Sequence, residues 1–160
     1  QIVGPDGVDK RIDVIATLMK LKGTVHDLRE LELAYAPPFS SAKDPVNMVG
    51  YTAENILSGQ ANVLMWHEMA DLDLSQIALL DVRTAGENRR GSIPGATLIP
   101  VDSLREHIET LDKSKTYAIF CAVGIRGNIA CQMMNQHGFK TLNLMGGFGF
   151  YDAVMRGYSQ

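Results

Sequence analysis

Along the first third of the chain, apolar residues recur at helical spacing. Beyond it they gather into short continuous runs separated by helical stripes. Pro5-Asp6-Gly7 predicts a turn, since proline sets φ and glycine accepts positive φ. Ile12, Ile15, Ala16, Leu18 and Met19 then predict a helix over Asp9 to Leu21, ended by Gly23. Thr24 with Asp27 predicts a capping box for a short second helix through Leu33. Asp44-Pro45 predicts a helix start, an acid at the N-cap before a proline in the first turn. The helix that follows is expected to bury Val49, Ala53, Ile56 and Leu57 and to stop at Gly59. Gly59-Gln60-Ala61-Asn62 is the expected boundary, which gives one segment over 1–59 and a domain over 60–160.

After that boundary, strand-like runs alternate with helices. Val63 to Trp66, Ile77 to Val82, Ala96 to Ile99, Tyr117 to Phe120 and Thr141 to Leu144 read as strands. Ile77 to Val82 is apolar almost throughout, as in a strand covered on both faces. Helices are expected after Ser103 (capped with Glu106, striped by Leu104, Ile108 and Leu111), over Gly127 to His137, and over Phe148 to Arg156. Strand–helix alternation predicts an α/β fold with a mainly parallel sheet flanked by helices on both faces, preceded by a helical and extended segment. Ligands of such sheets bind at the carboxyl ends of the strands.

Composition narrows the classes. The 160 residues are 46% hydrophobic and 21% charged, enough apolar side chain for a core. With 15 Lys+Arg against 18 Asp+Glu, the net charge is -3, and no basic block marks a nucleic-acid partner. No apolar run is long enough to span a bilayer as a helix. Two cysteines cannot form a disulfide framework, so a reducing, cytoplasmic setting is expected. No cleavable signal pattern opens the chain. Gln1 in place of an initiator Met, followed by a strand-like Ile2-Val3-Gly4, suggests a fragment or a processed chain.

The chemistry concentrates where a strand ends on Cys121 and a loop with Gly124 and Gly127 leads into a helix. Such a loop gathers backbone N–H groups and the positive helix end around a thiol, and both favour the thiolate. Arg126 adds a permanent cation. A free cysteine is ordinarily a small buried hydrophobe. Strand, Cys, Gly, Arg, Gly and helix in succession favour a nucleophile here.

In order along the chain, Asp81-Val-Arg83, Glu87, Gly91-Ser-Ile-Pro-Gly-Ala96, Cys121-Ala-Val-Gly-Ile-Arg126 and Gly146-Gly147 resemble a rhodanese domain over about residues 61 to 158. The resemblance implies that Cys121 carries sulfane sulfur as a persulfide. It implies that the backbone of Ala122, Val123, Gly124, Ile125 and Arg126, with Gly127 at the helix start, cradles the outer sulfur. Arg126 would assist anion binding, while Asp81 and Arg83 would frame the pocket. Small sulfur donors (thiosulfate, polysulfide or coenzyme A persulfide) and thiol acceptors would be the partners. Two positions depart from the family pattern: Ser92 where histidine is common, and Asn88 where an aromatic residue is common. They bear on fine substrate choice. Related phosphatases have a wider Cys-x5-Arg loop; the Cys-x4-Arg spacing here suits a single sulfur atom. The other reading is an inactive rhodanese fold serving regulation or interaction, although such versions commonly lack the cysteine.

Leu33-Ala-Tyr-Ala-Pro-Pro-Phe-Ser-Ser-Ala-Lys-Asp-Pro-Val-Asn-Met48 resembles the end of the dimerisation domain of pyridine nucleotide-disulfide oxidoreductases, most of all the coenzyme A-disulfide reductase branch. That resemblance makes Tyr35 a candidate coenzyme A-site residue, though it could equally pack on the prolines. It implies FAD, NAD(P)H and coenzyme A for a full-length parent, and a homodimer through residues 1–59. Without a Gly-x-Gly-x-x-Gly turn, these 160 residues are expected to bind neither nucleotide cofactor unaided. Cys131, Trp66 and the methionines Met133, Met134 and Met145 are read as core residues. The four histidines show no metal-ligand spacing, and no metal site is expected. Arg89-Arg90 is too small a patch for nucleic acid.

Overall fold

The computed structural model describes residues 1–34, 36 and 42–158. These form two compact units, Gln1–Gly59 and Gln60–Gln160. Among the described residues no helix is long and apolar enough to cross a membrane.

The first unit has three helices, α1 (Val8–Lys20), α2 (Val25–Glu30) and α3 (Pro45–Leu57). Thr24 and Asp27 form the expected capping box on α2, and Asp44 caps α3 by accepting from the Val46 N–H at 2.9 Å. Arg11 of α1 pairs with Asp44 at 3.0 Å, which ties α1 to the start of α3. Two expectations are corrected. Helix α2 ends at Glu30 and not at Leu33, because the Asn47 amide of α3 donates to the carbonyls of Leu28, Arg29 and Leu31. Those groups take their hydrogen bonds from a side chain instead of a further helical turn. The buried face of α3 is Val46, Asn47 and Gly50, whereas Val49 and Leu57 are exposed. At Gly50 the α2 backbone comes so close that an added Cβ would lie 2.7 Å from the Arg29 nitrogen. This approach turns α3 away from the face that apolar spacing alone selects. Tyr35, the candidate for coenzyme A, lies outside the described residues.

The second unit is a five-stranded, wholly parallel sheet, β1 (Val63–Leu64), β2 (Ile77–Asp81), β3 (Thr97–Leu98), β4 (Thr116–Phe120) and β5 (Lys140–Leu144), in the order β1-β5-β4-β2-β3. The strands at the centre alternate strictly. Leu80, Val82, Tyr117, Ile119 and Cys121 enter one core with Leu104 and Ile108, and with Ala130, Cys131 and Met134 of α6 (Ile125–Gln136). Leu79, Ala118 and Phe120 enter the other, where Phe148 and Tyr151 of α7 (Gly147–Tyr158) pack. The expected sheet covered on both faces is therefore built by period-two alternation within the apolar runs. The chain turns from β2 to β3 in one direction and from β4 to β5 in the other. The carboxyl ends of β2 and β4 thus flank the point where the winding reverses.

Four local expectations differ from the structure. Strand β1 stops at Leu64 because the Met65 N–H turns to the Glu68 carboxylate at 2.7 Å, and Trp66 opens a 3-10 turn. Trp66 is accordingly half-buried, beside His67 and Tyr158, and not in the core. Ser103 does not cap with Glu106: its hydroxyl donates to the Pro100 carbonyl at 3.1 Å. Residues 101–110 run as 3-10, α and 3-10 turns around α5 (Leu104–His107). Helix α6 starts at Ile125, two residues before Gly127, because Gly124 at φ 106° is already its N-cap.

After β2 the chain is held by one carboxylate. Asp81, with no exposed surface, accepts from the Arg83 N–H at 3.0 Å, Arg83 Nε at 2.9 Å and Arg83 Nη2 at 2.7 Å. It also accepts from Asn88 Nδ2 at 3.0 Å and the Ser92 hydroxyl at 2.9 Å. The Arg83 guanidinium in turn donates to the Gly91 carbonyl and lies 4.1 Å from the centre of the Phe148 ring. One buried ion pair therefore fixes α4 (Ala85–Asn88), the turn after it and the start of α7. Burial alone would raise the Asp81 carboxyl, but the hydrogen bonds from Arg83, Asn88 and Ser92 outweigh it and leave it below its ordinary value.

Breaking this pair leaves a guanidinium buried without its counter-charge. Asp81→Ala is expected to cost about 3–5 kcal/mol in urea denaturation, against about 1 kcal/mol for Ser92→Ala. Because the folded carboxyl titrates below the unfolded one, its contribution is complete above the ordinary carboxylate range and is lost as pH falls through and below it. Denaturation midpoints taken from neutral to acid pH check this, with Asp81→Ala showing the flatter acid limb.

Candidate active site

Cys121 follows β4 directly and has no exposed surface. The chain then turns through Ala122, Val123 and Gly124 into α6, and the Gly124 N–H donates to Cys121 Sγ at 3.1 Å. The side chains of Val123 and Ile125 point to solvent, so the loop offers the sulfur its backbone and not its side chains.

The loop's carbonyls are held from behind. The Phe148 N–H donates to the Cys121 carbonyl at 2.7 Å, and the Gly149 N–H to the Ala122 carbonyl at 3.0 Å. Both donors lie in the first turn of α7, where N–H groups have no partner inside the helix. In a trans peptide, C=O and N–H point in opposite directions. With those carbonyls aimed at α7, the N–H groups of Ala122 and Val123 face away from it, toward the hollow of the loop. The tight seat depends on Gly147, at φ 62°, where an added Cβ would stand 2.5 Å from the Cys121 carbonyl oxygen. The Gly146-Gly147 pair seen in the sequence is thus the floor of the cysteine loop.

Arg126 sits in the first turn of α6 and reaches across to Glu87 of α4. Its Nη1 donates to Glu87 Oε2 at 2.8 Å and its Nη2 to Glu87 Oε1 at 2.6 Å. Glu87 also closes the capping box of α4, accepting from the Thr84 N–H at 3.0 Å and the Thr84 hydroxyl at 2.8 Å. The Arg126 hydrogen bonds, aided by those from Thr84, hold the Glu87 carboxyl far below the usual carboxylate range. Glu87 raises Arg126 in return, and Cys121 adds a smaller pull of the same sign. The cation beside the thiol is therefore half of an ion pair, which the spacing of the sequence does not reveal.

The sequence-derived candidates among the described residues fall into two groups. Cys121, Ala122, Val123, Gly124, Ile125, Arg126 and Gly127 form one continuous loop and helix start. Asp81 and Arg83 are buried and paired with each other, so they support the site from within. Ser92 and Asn88, the two departures from the family pattern, both donate to Asp81 and serve that support. Cys131 is a core residue of α6, and burial pushes its thiol up to about 11. Among the described residues no cluster of His, Cys, Asp and Glu could hold a metal ion. Sequence reasoning missed Asn143 of β5, which is buried and donates through Nδ2 to the Gly124 carbonyl at 3.1 Å. An asparagine inside an apolar strand run, Leu142-Asn-Leu144, was the available signal.

The chain is similar to several known proteins. The chain is 56% identical over 52 residues to the coenzyme A disulfide reductase of Staphylococcus aureus strain bovine RF122 / ET3-1, a match covering 32% of this chain and 12% of that protein. It is 54% identical over 54 residues to the Staphylococcus haemolyticus protein of the same name, covering 34% and 12%. The chain thus matches only about an eighth of the length of these relatives. Among solved structures, reduced Bacillus anthracis CoADR-RHD superposes with a TM-score of 0.91 at 47% identity, over 95% of this chain and 27% of that one. A NAD-dependent persulfide reductase from A. fulgidus superposes with a TM-score of 0.78 at 34% identity, over 92% and 26%. The rhodanese-like domain family matches residues 66–152 and so takes in four of the five strands, β2 to β5, the Cys121 loop and the Glu87–Arg126 pair. Through that region, more than half of its length, the chain belongs to the rhodanese-like family.

Proposed function

We propose that the second unit is a sulfurtransferase that carries sulfane sulfur as a persulfide on Cys121. The observation that carries this reading is the Gly124 N–H on Cys121 Sγ, in a loop whose carbonyls are drawn off by α7. Such a ring of donors stabilises negative charge on sulfur, first on the thiolate and then on the outer persulfide atom. With thiosulfate as donor, the Cys121 thiolate attacks the sulfane sulfur. A new S–S bond forms, the old one breaks, and sulfite leaves with its electron pair. An acceptor thiolate, or cyanide in an assay, then attacks the outer sulfur, and Cys121 departs as the thiolate. The buried Cys121 sulfur favours donors that present a slender sulfane end, such as thiosulfate, polysulfide or coenzyme A persulfide.

In this reading the chain works within a longer cytoplasmic flavoprotein that reduces coenzyme A disulfide, coenzyme A persulfide or polysulfide. The names of the two reductases to which it is similar support this. FAD and NAD(P)H would be held by parts of such a protein other than these 160 residues, and coenzyme A near Tyr35. The first unit would pair across a homodimer, which its exposed Met19, Met48, Val49 and Leu57 support. Light scattering after size-exclusion is expected to show Met19→Glu with Leu57→Glu shifting the chain toward monomer.

Cys121→Ser is expected to abolish thiosulfate–cyanide sulfur transfer with the circular dichroism unchanged, since a hydroxyl cannot take up sulfane sulfur. Cys131→Ser is expected to keep most of the activity, because a thiol titrating near 11 is neutral at pH 7. Turnover surviving in Cys121→Ser overturns the mechanism.

Charge at the loop is tested separately. Arg126→Ala leaves Glu87 unpaired beside the thiol, so the midpoint of iodoacetamide alkylation is expected to rise by about one pH unit. Glu87→Gln frees the cation, and the midpoint is expected to fall. Since Glu87 stays ionised well below neutrality, a profile from about pH 5 to pH 10 reports the thiol and not Glu87. Equal midpoints in all three proteins would show that the pair does not act on Cys121.

A further inference from the structure

Asn143 lies on β5 opposite Ile119 of β4, on the sheet face that α6 covers, as does Thr141, whose hydroxyl donates to Asn135 of α6 at 2.7 Å. Its strand neighbours Leu142 and Leu144 enter the opposite, apolar core. Asn143 is buried, and its Nδ2 donates to the Gly124 carbonyl at 3.1 Å. Its Oδ1 is buried with no hydrogen-bond partner. An added Cβ on Gly127 would stand 2.3 Å from that Oδ1, so the side chain occupies the space left by the missing side chain at the helix start. A leucine could bury this position without stranding an acceptor; the amide costs stability and gives one hydrogen bond, to the cysteine loop.

That bond settles a direction. The Gly124 carbonyl also accepts from the Asn128 N–H at 2.9 Å, so two donors hold it away from the hollow of the loop. The next N–H, that of Ile125, belongs to the same peptide plane and points the opposite way. Asn143 thereby does for the Gly124–Ile125 peptide what the first turn of α7 does for the peptides after Cys121 and Ala122. Three carbonyls are held outside the loop, and three N–H groups are turned to its hollow.

We propose that Asn143 is a positioning residue for Cys121: by holding the Gly124 carbonyl it aims the Ile125 N–H at the charge that develops on the loop sulfur. This rests on the sulfur-transfer reading for its catalytic meaning, while its effect on the thiolate stands apart from that reading. Asn143 touches no reacting atom, so its removal misaligns a donor without deleting one.

The test uses the whole 160-residue chain. Asn143→Leu and Asn143→Ala are both neutral and leave the Glu87–Arg126 pair intact. In Asn143→Leu, the melting temperature is expected to hold or rise, because the stranded Oδ1 is gone. Sulfur gain on Cys121 from thiosulfate, followed by mass spectrometry, is expected to slow by about tenfold. The alkylation midpoint is expected to rise in both variants. A merely structural role would lower the melting temperature and leave the midpoint of the folded protein alone. A third measurement needs no variant: in the native chain, the Ile125 amide resonance is expected to move as Cys121 ionises, as far as that of Gly124. Native rate and midpoint in either folded variant, or an Ile125 resonance indifferent to ionisation, overturns the proposal. If the native chain gains no sulfur from thiosulfate or polysulfide, the sulfur-transfer reading fails. The alkylation midpoints and the amide titration still decide the role of Asn143.

Discussion

The arrangement around Cys121 depends on one constraint: a peptide group cannot turn its N–H and its C=O to the same side. A loop that lines its hollow with donors must find acceptor work for its carbonyls elsewhere. Here the start of α7 takes those of Cys121 and Ala122, and the Gly124 carbonyl goes to Asn143 and Asn128. The second helix end is thus as much a part of the site as the first. Phe148 joins the two duties, since its backbone N–H holds the loop while its ring packs under Arg83.

Arg83 leads to the other support. Asp81 and its five hydrogen bonds fix the chain between β2 and the turn after α4 without contact with solvent. That fixation places Glu87 at the far side of the loop, where it meets Arg126. The buried pair carries no chemistry itself, but it sets the position of a residue that governs charge near the sulfur. Breaking a buried pair costs much more than breaking an exposed one, which makes this a firm base.

The Glu87–Arg126 pair changes the electrostatic picture of the loop. A lone arginine would favour any anion at the mouth. A neutralised one leaves the discrimination to the backbone donors, whose dipoles act only over the first turn of a helix. The resulting field is local to the sulfur, which suits the sulfur-transfer role proposed for Cys121.

Much of the second unit is determined by the sequence. Short apolar runs alternating with helical stripes suffice for a parallel sheet, because a strand covered on both faces is apolar at consecutive positions and each helix between two strands makes a crossover. Cys121, Gly124, Arg126 and the Gly146-Gly147 pair can be singled out from residue type and spacing, since a glycine in a turn is a local requirement. What needed the tertiary structure are contacts between distant segments. The partners Glu87 and Arg126 are 39 residues apart, and Gly124 and Asn143 are 19 apart. The roles of Asn88 and Ser92 followed from one carboxylate to which both donate. The buried face of α3 was decided by the close approach of α2 at Gly50, and apolar spacing along a single helix carries no record of its neighbour's distance.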